Sequence, residues 1–357
     1  MKKLVWLVTL VIALSVILTA CGAPAPAATQ APAPTQPPAP TSAPAATEVP
    51  PTAAPAKPFR VAVVMPSAKN DLAFSQSMYD ALVKVQTEMG GPDKFEIAFS
   101  ENMFVVDDAA AAIRDYASKG YDLVIAHGSQ YGSSLQEIAP DFPKTSFAWG
   151  TTADTFGQPN IFAYQAAAEE GGFVNGVLAA TLSKSKVLGV IGPIETGDAK
   201  LYVDGFKAGA TTVDPNIKVN VNYIGSFSDT ALAAEAANTH IANGADVLTG
   251  SAQMVVGAVG KAKEANVLWF GTQSNQTSLA PSIVVASQVY HWEVVLKEMI
   301  AQIQGGTLGG KTYTINLANG GEVIEFNPGV SVAADAQKVA EDTIKGISEG
   351  TIKITLP

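Results

Sequence analysis

The chain has 357 residues, 47% hydrophobic and 15% charged, which is enough apolar material for one large or two medium cores. Its formal net charge of −10, with no long block of like charge, excludes a protein that grips nucleic acid through a basic face. A single cysteine, Cys21, excludes a disulfide framework, a cysteine-based zinc site and a catalytic thiol in everything that follows it.

Lys2 and Lys3 give a basic start, and positions 4–20 are uncharged and strongly apolar, the layout of a secretory signal peptide over 1–20. The apolar run is shorter than the ~20 residues that span a membrane comfortably. It ends in Leu18-Thr19-Ala20-Cys21, which resembles a bacterial lipobox. That resemblance implies cleavage before Cys21, a diacylated Cys21 as the first residue, and a body anchored on the extracytoplasmic face of the cell membrane. Positions 22–58 are almost only Ala, Pro, Thr, Gln and Ser and hold 12 of the chain's 22 prolines. Such a segment buries no core and favours extended polyproline-II conformations, so 21–58 is expected to be a lipidated tether.

From Phe59 onward, short apolar runs alternate with helical stretches. Strands are expected at 60–65, 95–100, 123–126 and 145–149, with helices over 72–89 and 107–119. The pattern then restarts, with strands at 186–192, 217–224, 246–248 and 267–270 and helices near 201–212, 229–242 and 255–265. Ser118-Lys119-Gly120-Tyr121-Asp122-Leu123-Val124 has a counterpart in Ala242-Asn243-Gly244-Ala245-Asp246-Val247-Leu248. In both, a helix ends at a glycine suited to a left-handed cap, and an aspartate leads into a strand. Continuous apolar strands separated by helices define parallel sheets covered on both faces. The expected architecture is therefore α/β with two similar lobes, the periplasmic-binding-protein type I fold. The first lobe is expected over 59–163, with a return segment at about 288–312, and the second over 164–287 with about 313–357. Ligands of open parallel sheets bind beyond the carboxyl ends of the strands, so facing lobes place one site in the cleft between them, closed by a hinge.

Four stretches carry a family resemblance over roughly 60–330. They are Asn70-Asp71-Leu72-Ala73-Phe74-Ser75-Gln76-Ser77; Glu169-Glu170-Gly171-Gly172-Phe173-Val174-Asn175-Gly176-Val177-Leu178-Ala179; Phe206-Lys207-Ala208-Gly209 followed by Tyr223-Ile224-Gly225-Ser226-Phe227-Ser228-Asp229; and Gly271-Thr272-Gln273-Ser274-Asn275-Gln276. In this order and spacing the chain resembles the basic membrane protein, or PnrA-like, family of ABC-transporter solute-binding lipoproteins. The resemblance implies a nucleoside-like ligand, chiefly a purine, and an ABC permease as partner. Aromatics from both lobes, Phe74 and Phe227, are the expected sandwich for a flat base. Asp71 offers acceptors to ring nitrogens or sugar hydroxyls, Asn70 precedes it, and Ser75 stands where the family usually has Asn. Two departures stand out: Gln273 replaces an aspartate that holds the ribose, and Tyr290 occupies the position aligned with a ligand-reaching lysine.

Position alone adds His127, Gly128, Ser129 and Gln130 at the end of the third strand, and Gly250, Ser251 and Gln253 at the equivalent end in the second lobe. Of the three histidines, His127, His240 and His291, His240 sits in an expected helix with no acidic or cysteine partner at metal-ligand spacing, and no nucleophile elbow, P-loop or dinucleotide fingerprint follows a strand. No enzyme, metal or cofactor is expected, and no nucleic-acid partner. Two alternatives to a transport receptor remain from sequence: a ligand-sensing subunit for a signalling partner, and a surface lipoprotein that binds macromolecules.

Overall fold

The computed structural model describes residues 57–357. The expected signal segment, Cys21 and the tether as far as position 56 lie outside the described residues. Among the described residues, no helix is long and apolar enough to cross a membrane.

Two six-stranded sheets organise the body. The first lobe runs β1 (Phe59–Val64), α1 (Phe74–Glu88), β2 (Phe95–Ser100), α2 (Val106–Ser118), β3 (Leu123–His127), α3 (Gly132–Ile138), β4 (Ser146–Gly150) and β5 (Ile161–Ala166). The second runs α4 (Ala168–Leu182), β6 (Val187–Gly192), α5 (Gly197–Val213), β7 (Lys218–Tyr223), α6 (Thr230–Ala242), β8 (Val247–Gly250), α7 (Val255–Ala265), β9 (Leu268–Gly271) and β10 (Val284–Tyr290). After β10 the chain returns through α8 (Glu293–Gln304) and β11 (Thr312–Ile315), crosses again to β12 (Glu322–Phe326), and ends in α9 (Ala334–Ser348).

The strand orders are β2-β1-β3-β4-β5-β11 and β7-β6-β8-β9-β10-β12, the same winding twice. Central strands such as β3 (LVIAH) and β4 (SFAWG) are buried along their whole length, which explains their unbroken apolar runs. The first sheet is parallel throughout, but β12 pairs antiparallel with β10, so the second sheet is mixed and not wholly parallel as expected. The reason is local: the chain enters β12 from β11, a first-lobe strand, and not through a helical crossover within its own sheet. All of β10 lies in the second sheet, so the return to the first lobe starts after Tyr290. It ends with β11 at Ile315, not near 312. The lobes are thus joined by three passages: at Ala167, at His291–Trp292 and over 316–321.

Helices α4 and α5 meet backbone to backbone. A Cβ on Gly172 would lie 2.4 Å from the Tyr202 carbonyl oxygen, and one on Gly176 would lie 2.0 Å from that of Phe206. From the other side, a Cβ on Gly205 would come 2.3 Å from the Glu169 oxygen and one on Gly209 2.1 Å from that of Phe173. Glycines four residues apart on both helices therefore let the two axes approach closely, and two of the sequence stretches carrying the family resemblance contain three of the four, Gly172, Gly176 and Gly209. Gly176→Ala is expected to force the helices apart at a cost of ~1–3 kcal/mol, the usual range for overpacking. Gly260→Ala on exposed α7, where an added Cβ meets nothing within 4 Å, is expected to be neutral or stabilising. Thermal melts of the two variants check this, with a drop of several degrees expected only for Gly176→Ala.

Candidate functional site

A cavity of about 520 Å³, counting the part open to solvent, lies between the lobes. Its wall is built at the carboxyl ends of strands from both sheets: Pro66 follows β1, Phe104 follows β2, Gly128 follows β3 and Thr151 follows β4. Across from them, Gly197 and Asp198 follow β6, Phe227 follows β7, Gln253 follows β8 and Gln273 follows β9. This is where parallel sheets collect their ligand groups, because the loops there are free to vary while the strands hold their positions.

The lobes are clasped around this space. Gln253 Nε2 donates to Ser67 Oγ at 3.1 Å, and Thr151 Oγ1 donates to Asp198 Oδ1 at 3.1 Å. Two more bonds reach main-chain oxygens at the start of α1: Ser274 Oγ to Ala73 at 2.8 Å and Gln276 Nε2 to Leu72 at 3.2 Å.

Of the residues singled out from sequence, Phe74, Gly128, Ser129, Gln130, Phe227, Gln253 and Gln273 share the cavity wall. Phe74 and Phe227 thus come from opposite lobes onto one space. Gln273 sits at φ 68° on the turn after β9, is 4% exposed, and leaves Oε1 without a partner. The other candidates are placed elsewhere. Asn70 is exposed and off the wall. Asp71 spends its carboxylate inside its own lobe: Oδ1 accepts from the Ala73 and Gln76 amides, while Oδ2 accepts from the Ser75 amide and the Ser67 hydroxyl. It therefore fixes the start of α1, satisfying amides that the helix cannot. Ser75 is fully buried beneath it, with Oγ 2.7 Å from Ser67 Oγ. Gly250 is buried at the end of β8, where its carbonyl accepts from Thr272 Oγ1 at 2.9 Å. Tyr290 is 4% exposed and borders a separate space of about 650 Å³ on the hinge side, together with Lys84, His291 and Glu293.

His127 lies under the cavity floor. Its imidazole stacks on the Phe74 ring at 3.8 Å between centroids and 10° between planes, and Tyr164 continues the column at 6.0 Å and 8°. Nε2 is 3.0 Å from the Phe74 carbonyl oxygen, which can only accept, so Nε2 carries the hydrogen. Nδ1 then accepts from the Tyr164 hydroxyl at 2.7 Å. Trp292 packs edge-on against His127 and Tyr164 and donates from Nε1 to Ser77 Oγ at 3.0 Å. Burial pushes the His127 pKa from 6.5 down to about 3, with the bond to Phe74 acting weakly the other way. The imidazole is neutral, and it positions the aromatic floor.

Several wall residues escaped the sequence reading, Phe104, Thr151 and Asp198 among them. A signal for Asp198 was present in the repeat itself. Met65-Pro66 after β1 and Gly192-Pro193 after β6 are each followed, five residues beyond the proline, by an aspartate, Asp71 and Asp198 respectively. Asp198 Oδ2 is buried without a partner. Burial raises its pKa, and hydrogen bonds from Thr151 and from the Asp198 and Ala199 amides draw it back down. Among the described residues, no lysine or arginine lines the cavity.

Duplicate sheets facing one another across a clasped, aromatic-floored cleft define a two-lobed receptor for a small solute. Comparison with known proteins gives its family: residues 59–355 match the ABC transporter substrate-binding protein PnrA-like family (Bmp), and the chain belongs to it. It is the extracytoplasmic solute-binding component of an ABC import system, a binding protein and not an enzyme at the level of the family. A purine-binding protein of Brucella abortus is 28% identical over 263 residues, 73% of each chain. The ABC transporter nucleoside-binding protein BmpA of Lactococcus lactis is 27% identical over 311 residues, covering 81% of this chain and 86% of its own. Among solved structures, an ABC transporter solute-binding protein of Aeropyrum pernix superposes with a TM-score of 0.71 at 19% identity, over 84% of this chain and 94% of its own.

The folded His127 pKa lies below that of the unfolded chain, so between about 6.5 and 3 the unfolded state binds the extra proton. Its contribution to stability is present above pH 6.5 and declines as pH falls. Buried Glu322, whose pKa burial raises well above the ordinary value, acts in the opposite sense, so the test is a difference. The melting-temperature advantage of the wild type over His127→Gln is expected to shrink between pH 7 and pH 5.

Proposed function

We propose that the cleft takes a purine-type nucleoside or a similarly flat solute, pressed between Phe74 and Phe227, and passes it to a membrane permease. The observation that carries this is the convergence of two phenylalanines from different lobes on one cavity, with a third, Phe104, 39% exposed at its wall. An aromatic face accepts any flat heterocycle, and each stacked base is worth ~1–3 kcal/mol. Hydrogen-bonding groups are then needed only at the edges, which the wall supplies in Gln273, Gln253, Gln130 and Asp198. The relatives named for purine and nucleoside binding agree with this choice of ligand. Closure traps the solute, because the same loops that line the cavity carry the bonds between lobes.

We further propose that the receptor is held at the outer face of the membrane by acyl chains on Cys21, with the proline-rich tether giving it reach.

Isothermal titration with nucleosides and nucleobases is expected to reveal at least one ligand binding below ~10 μM, about 7 kcal/mol of free energy. Phe74→Ala and Phe227→Ala are each expected to weaken that ligand by roughly 5- to 150-fold, the stacking range above. Unchanged affinity in both variants would remove the aromatic sandwich. For the anchor, Cys21→Ser in the producing cell is expected to shift the protein from the membrane fraction to the soluble or secreted fraction. Retention in the membrane fraction counts against lipidation.

A further inference from the structure

Among the described residues, the wall of the cleft carries no positive charge. Asp198 is the only ionisable side chain among the described residues that border the space. Three acceptor oxygens on this wall are buried and unpartnered: Asp198 Oδ2, Gln253 Oε1 and Gln273 Oε1. Gln253 and Gln273 are 9% and 4% exposed, so water does not reach them freely. Two nearby donors are already used. The Gln253 amide nitrogen is given to Ser67, and the His127 N–H to the Phe74 carbonyl. The start of the 17-residue α5 borders the cavity and would ordinarily attract an anion. Here the carboxylate of Asp198 takes that place, held by the Thr151 hydroxyl. Native proteins rarely leave buried acceptors empty, so this pattern is the imprint of what fills the cleft.

We propose that Asp198, flanked by the open amide oxygens of Gln253 and Gln273, selects a solute that donates several hydrogen bonds and carries no phosphate or carboxylate. The matching class is an amino- and hydroxyl-bearing nucleoside or free base, neutral or cationic. The inference rests on the flat-solute reading and deepens it by naming the residue that sets the ligand's charge. A ligand N–H or O–H donates to Asp198 Oδ2, completing the carboxylate already fastened to the opposite lobe through Thr151. A phosphorylated ligand brings like charge against that carboxylate, with no cation in the wall to offset it.

The test is calorimetric titration of adenosine and of adenosine 5′-monophosphate into the wild type and Asp198→Asn. Asparagine keeps an oxygen for Thr151 but turns a donor toward the ligand where the carboxylate presents an acceptor. In the wild type, the monophosphate is expected to bind on the order of 100-fold more weakly than adenosine. In Asp198→Asn, adenosine is expected to weaken on the order of 10-fold or more, and the ratio between the ligands to fall below about 10. Thr151→Val breaks the clasp and keeps the carboxylate, so it is expected to weaken both ligands and preserve the ratio. This separates selection from closure should Asp198→Asn lose stability. Monophosphate binding as tight as adenosine, or a ratio unchanged by Asp198→Asn, overturns the proposal while leaving the flat-solute reading intact. Silence from adenosine, adenine, guanosine, inosine and cytidine alike overturns that reading, and the inference falls with it.

Discussion

The binding floor depends on an uncharged imidazole. Phe74 is useful to a ligand only if its ring is held flat at the edge of the cleft, and what holds it is the face of His127, itself backed by Tyr164 and braced edge-on by Trp292. Each ring nitrogen of His127 has a fixed role, one donating to the Phe74 carbonyl and the other accepting from Tyr164. A proton on Nδ1 would turn the tyrosine hydroxyl from donor to acceptor and put a charge in an apolar column. Burial therefore does more than hide His127: it fixes one tautomer, and the tautomer fixes the ring above it.

Much of the architecture was legible because it repeats. The strands and helices of both lobes follow directly from alternating apolar runs and helical spacing, and elements such as β2 and α7 fall on the expected residues. What escaped were elements whose identity is set by partners far along the chain. The antiparallel β12 has a short, half-polar sequence, and its direction follows from where β11 leaves the chain. In the candidate site, Phe74, Phe227, Gln253 and Gln273 were legible, whereas Phe104 was missed and the two aspartates were misplaced, Asp71 lying off the wall and Asp198 on it. A flat apolar ring near a strand end has few uses, whereas an aspartate can cap a helix or face a ligand.

Asp71 and Asp198 make that ambiguity concrete. They hold equivalent places in the two halves of the repeat, five residues beyond a proline. Asp71 gives both oxygens to amides and a hydroxyl of its own lobe, and the helix it begins presents Phe74 to the cavity. Asp198 gives one oxygen to Thr151 across the cleft and leaves the other open. Equivalent positions of the repeat thus serve as an internal fastening in one lobe and as a bond between lobes with one oxygen left open in the other. Only the surrounding donors, which a linear sequence does not display, tell the two apart.

The hydrogen bonds from Ser274 and Gln276 end on the carbonyl oxygens of Ala73 and Leu72, the residues immediately ahead of Phe74. Main-chain oxygens are present whatever side chains evolution installs, so this latch survives substitution of the residues it touches. It also ties two events together. Parting the lobes must pull on the segment that carries the stacking ring, so unlocking the receptor and loosening its hold on the cargo become a single mechanical step. A transporter that pries the halves apart would thereby weaken the grip on the passenger with no separate trigger.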